Sequence, residues 1–90
     1  MNAQIRNLTK NLLNCGAFNH LSDTEIAGIQ RMIIDKRSEQ KADRQLLEYW
    51  HYADFFATGV PQFLYHECNM VLGHYGHHLV EMLPESEYDA

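Results

Sequence analysis

Apolar residues recur along this chain at intervals of three and four, and no β-branched run alternates with the two-residue period of a strand. That spacing points to an all-α fold. Residues 2 to about 14 set Ile5, Leu8, Leu12 and Leu13 on one helical face, and Gly16, just after Cys15, suits the end of that helix. Leu21 then precedes Ser22-Asp23-Thr24-Glu25, an S-x-x-E capping box with acidic residues in the first turn. Leu21 and Ile26 have the spacing of a hydrophobic staple, and Ile26, Ile29, Ile33 and Ile34 continue as a stripe.

The stretch KRSEQKADRQ, residues 36–45, is polar but holds neither Gly nor Pro, so a helix can run through it. Leu46, Leu47, Tyr49, Trp50, Ala53 and Phe56 resume the apolar pattern up to Thr58-Gly59. One helix from Asp23 to Ala57 would be about 50 Å long, whereas a compact chain of this size has a radius of gyration near ~12 Å. The expectation is therefore a break near Ser38 or a long bent helix. Pro61 suits the first turn of a further helix that Pro84 ends, with Leu64, Cys68, Val71, Tyr75, Leu79 and Met82 as its core stripe. Phe63, His66, Met70, His74, His77 and Glu81 share a second face. Gly73 and Gly76 fall inside this helix, each costing ~1 kcal/mol relative to Ala, which suggests a tight helix crossing or a bend. The expected architecture is a bundle-like domain of three to four helices over residues 1–84, with a flexible acidic tail at 85–90.

Ninety residues make one domain. A chain this short buries only roughly 60–65% of its unfolded surface, yet 46% of its residues are apolar, so completion of the core by homo-oligomerisation is expected. Cys15 and Cys68 are too few for a disulfide scaffold and read as free, buried thiols in a reducing compartment. Met1-Asn2-Ala3-Gln4-Ile5-Arg6 has no apolar segment of the signal-peptide kind, and the apolar runs fall far short of the ~18 residues that span a bilayer. A cytoplasmic protein without membrane contact is expected.

The net charge of −5 is unevenly spread: residues 59–90 hold Glu67, Glu81, Glu85, Glu87 and Asp89, and no Lys or Arg follows Arg44. Phosphate neutralisation by Lys and Arg supplies most DNA-binding affinity, so direct nucleic-acid binding is disfavoured. An acidic surface suits a basic protein partner.

Four of the six histidines lie between Gly59 and Pro84. His74 and His78 stand at i, i+4, His74 and His77 at i, i+3, and Glu81 four residues after His77, so a metal could in principle be shared among them. The pattern is loose, and His66-Glu67-Cys68-Asn69-Met70 misses the H-E-x-x-H motif at Met70. The preferred reading makes Phe63, His66, Met70, His74 and His77 an oligomer interface, with no cofactor. Protonation below pH ~6.5 would weaken such an interface, and a subunit mass constant from pH 8 to 5 would exclude that response. Cys68 lies on the core stripe, the glycines form no phosphate loop, and the paired carboxylates lie in solvated stretches, so no enzyme is expected.

Tyr49, Trp50, Tyr52, Phe55 and Phe56 fall within eight residues. A helix apolar all round needs cover on both sides, and aromatics are preferred interface anchors. The expected partner-binding residues are Tyr49, Trp50, Tyr52 and Phe55 as apolar anchors, with Glu48, Asp54 and Glu81 complementary to a basic partner. The most concrete reading is an inhibitor or antirepressor that keeps a DNA-binding repressor off its operator. The likeness to small phage-type inhibitors lies in size and charge, and no motif carries it. The alternatives are a metal-binding regulator or sensor built on the histidine helix, and a structural subunit of a larger assembly.

Overall fold

The structure is a computed structural model and describes residues 3–35 and 39–76, residues 39 and 40 by backbone alone. Four helices are described: α1 (Ala3–Asn14), α2 (Asp23–Ile34), α3 (Glu39–Trp50) and α4 (Gln62–His74), with no strand among the described residues. The Cα radius of gyration is 13.0 Å, that of a compact chain of this length. Helix α1 packs against each of the other three, and α2 also packs on α3. No helix among the described residues is long and apolar enough to cross a membrane.

Helix α1 buries Ile5, Leu8 and Leu12, as its spacing requires, together with two polar residues. Thr9, fully buried, donates its hydroxyl to the Ile5 carbonyl (2.7 Å) and accepts the Trp50 Nε1–H (2.8 Å). Arg6 donates from Nη2 to the Asp35 carbonyl (3.1 Å), and its Nε lies 3.8 Å from Asp43 Oδ1. The helix ends in a Schellman motif: Ala17 N–H bonds the Leu12 carbonyl (2.9 Å) and Gly16 N–H that of Leu13 (3.4 Å). Gly16 takes φ +91, the left-handed geometry this motif needs.

The capping box of α2 is formed in both directions. Glu25 N–H bonds Ser22 Oγ (3.2 Å) and Ser22 N–H bonds Glu25 Oε1 (3.1 Å). Helix α2 does not continue through the polar stretch. Asp35 donates its N–H to the Arg31 carbonyl (2.9 Å) and then turns extended, with ψ 120. The break thus begins at Asp35, where Arg6 holds the carbonyl from α1. It lets α3 pack on α2, burying Ile29 and Ile33 on one helix and Leu46 and Leu47 on the other in a shared core.

Three helix ends differ from expectation. Helix α3 stops at Trp50, well before Thr58-Gly59. Beyond it the chain tightens into i→i+3 bonds (Tyr52 N–H to Tyr49 O, 2.9 Å; Ala53 N–H to Trp50 O, 3.2 Å). Asp54 N–H then bonds the Ala17 carbonyl (2.7 Å), and the chain sends Ala53 and Phe55 inward while Asp54 and Phe56 point out. Pro61 occupies the N-cap of α4 rather than its first turn, and α4 stops at His74. Gly76, at φ +78, lies past the end of α4 rather than inside it. Among the described residues no tight crossing explains Gly73 either, since a Cβ there would meet none of them within 4 Å. Leu64, Cys68 and Val71 form the core stripe of α4, joined by Leu72, whereas Tyr75 is 47% exposed and not core. Leu79, Met82, Pro84 and the tail at 85–90 lie outside the described residues.

Candidate protein-binding surface

Two of the expected anchors are interior. Trp50 is 0% exposed and Phe55 is 3% exposed, so neither presents a surface to a partner. The reason is the early end of α3. It leaves Trp50 on the helix face toward Thr9 and turns Phe55 back onto Tyr65, ring centroids 5.7 Å apart and edge-on. Asp54 is exposed, and its Oδ1 accepts the Phe56 N–H (3.1 Å) in a local turn. Glu81 lies outside the described residues.

The remaining three come together. Glu48, Tyr49 and Tyr52 line a groove of about 460 Å³ between α2 and α3, completed by Gln45 from α3 and by Glu25 and Met32 from α2. Gln45, Glu48, Tyr49 and Tyr52 stand at i, i+3, i+4 and i+7, which is why they meet on one side. Tyr49 is half-buried and packs on the core edge, whereas Tyr52 is 64% exposed. His20 Nε2 donates to the Tyr52 carbonyl (2.6 Å), fixing the backbone just past the end of α3. Among the described residues, the walls hold two carboxylates and no Lys, Arg or His. The 3- and 4-residue spacing of Gln45 to Tyr52 was visible in the sequence. Glu25, Met32 and Gln45 were missed because nothing local says that α2 and α3 lie side by side.

The expected oligomer face is exposed where it is described. Phe63 is 55% and Met70 72% exposed, with His66 and His74 beside them on α4. Phe56, 61% exposed, adds to the apolar surface near Tyr65, its ring 5.8 Å away. His77 lies outside the described residues. Of the metal candidates His74, His77, His78 and Glu81, only His74 is described, and no group of three or more His, Cys, Asp or Glu side chains is placed to hold a metal ion among the described residues.

Cys15 and Cys68 are both free thiols, Cys15 half-buried and Cys68 buried. Burial, helped by the nearby charges of Glu67 and Cys15, pushes the Cys68 thiol up to about 12. At neutral pH it is a packed, protonated side chain and a poor nucleophile.

The fold and this surface define an all-α domain with an acidic, tyrosine-walled groove on one side and an apolar face on α4. The chain matches no protein-family model, no curated protein and no solved structure.

Proposed function

We propose that this protein works by binding a basic protein partner rather than by catalysis, and that the partner is a DNA-binding regulator which it keeps off its operator. The observation that carries this reading is the α2–α3 groove, where Glu25 and Glu48 stand beside Tyr49 and Tyr52 with no cation among the described lining residues. A repressor's DNA-binding surface is rich in Lys and Arg. An acidic groove with tyrosine anchors is complementary to it in charge and in contact chemistry.

Pairing of two copies through Phe63, His66, Met70 and His74 belongs to the same proposal. These side chains give α4 an exposed face with large apolar area, and a second copy would cover it.

The test is a pull-down from the native host with Tyr52→Ala and Glu48→Lys chains run beside the parent. The expected result is one DNA-binding protein recovered by the parent, lost with either variant, and released from operator DNA when the parent is added. Binding that weakens with added salt would match the charge argument. Recovery of the same protein by all three chains would overturn the assignment to this groove.

A further inference from the structure

The geometry points to the α2–α3 groove as a receptor for an arginine side chain on a basic segment of a protein partner, with Gly28 as the residue that opens it. The inference rests on the reading of this groove as the partner-binding site.

Glu25 and Met32 line the groove from α2, one at each end of two helical turns. Gly28 lies between them on the same side of the helix, three residues after Glu25 and four before Met32. It is in the middle of α2, where glycine is less favourable than any residue but proline. Two reasons usually justify such a glycine. One is left-handed backbone, but Gly28 is not among the glycines with positive φ. The other is a neighbour too close for a side chain, but a Cβ at Gly28 would meet nothing within 4 Å. Packing within the described chain therefore does not use the missing side chain. Its effect is to leave α2 without a side chain between Glu25 and Met32, the two residues that line the groove from that helix.

The chemistry of the walls favours arginine as the occupant. Two carboxylates with no cation among the described lining residues call for positive charge. A guanidinium is flat, stacks on tyrosine rings and donates in a fork to a carboxylate, and its stem packs against a thioether such as Met32. Lysine brings a more strongly hydrated point charge with no plane to stack. Glu25 is also held in place: its Oε1 accepts from both the N–H and the Oγ of Ser22, at 3.1 and 3.0 Å.

The full chain is titrated with two short, otherwise neutral peptides that differ only in a central Arg or Lys, followed by backbone NMR shifts. The arginine peptide is expected to move the amides of Gly28, Tyr49 and Tyr52 and to bind more tightly than the lysine peptide. Gly28→Leu should keep its helix content and lose affinity by about tenfold or more. Shifts confined to another surface, or equal affinity of parent and Gly28→Leu, would overturn the inference. Should Gly28→Leu not fold, Glu48→Gln at an exposed position decides, with the same loss expected and unchanged affinity fatal. Groove binding of the arginine peptide by a chain that releases no regulator from DNA would sink the inhibitor reading alone. Release of a regulator equally by parent and Gly28→Leu would sink the arginine site alone.

Discussion

Trp50 is held by its ring nitrogen as well as by its ring. Its Nε1–H goes to Thr9 Oγ1, and the Thr9 proton goes on to the Ile5 carbonyl, so two buried polar groups are satisfied in one chain of bonds. Trp50→Phe keeps most of the apolar volume and removes the donor, and should cost about 1–2 kcal/mol in urea denaturation. Trp50→Ala adds a cavity and should cost about 3–5 kcal/mol, enough to unfold a chain of marginal stability. Loss of binding by Trp50→Ala would then report unfolding and not a lost anchor. Cys68 makes a second prediction at this scale. Its folded thiol is raised to about 12, above the ~8.5 of an unfolded thiol. A raised value means that the folded state holds the proton more tightly. The stabilisation is complete below the unfolded value and is lost as pH rises from there toward about 12. Between pH 8 and 10 the parent should lose stability faster than Cys68→Ala, and parallel curves would show that burial of the thiol is not the cause.

At the level of the element, two glycines with opposite roles can be told apart by one substitution each. Gly16 sits at φ +91, and a Cβ there would lie 2.9 Å from Asn19 Nδ2. Gly16→Ala should therefore destabilise by about 1 kcal/mol or more. Gly28 is helical with open space around it, so Gly28→Ala should stabilise by up to ~1 kcal/mol. Thermal melts of the two variants should move in opposite directions. A fall in melting temperature for Gly28→Ala would mean that the helix needs the glycine for its own packing. The ends of the helices divide in the same way. The start of α2 and the end of α1 are written in short motifs, Ser22 to Glu25 and Leu12 to Ala17, and were readable in the sequence. The ends of α2 and α3 were not, because the residues that hold them are far away in the chain. Arg6 reaches the Asp35 carbonyl across 29 positions, and the Ala17 carbonyl takes the Asp54 N–H.

Over the whole molecule, the acidic groove and the exposed face of α4 share no described residue: the groove is lined from α2, α3 and Tyr52 just past it, and Phe63, His66, Met70 and His74 stand on α4. Covering one need not block the other. Met70 is 72% exposed at the middle of the α4 face, so Met70→Lys should leave the fold of a single chain unchanged. If two copies pair there, light scattering should show the parent as a dimer and Met70→Lys as a monomer. A parent that is monomeric at high concentration would remove the pairing from the proposal and leave the groove untouched.

The all-α class, the capping box and the Gly16 stop followed from the sequence by itself. Each rests on residues within about five positions of one another, where helical geometry alone decides who meets whom. The apolar spacing also identified Leu64, Cys68 and Val71 as core, because one face of a helix must be buried. Only the tertiary structure decided that Trp50 and Phe55 are inside and that Tyr52 is outside. A run of five aromatics offers more faces than periodicity can sort, and the choice fell to Thr9, 41 positions away, which could satisfy the indole nitrogen. The groove was likewise decided in three dimensions. Glu25 and Glu48 belong to different helices, and they become one site only because α2 ends before Asp35 and α3 packs on it.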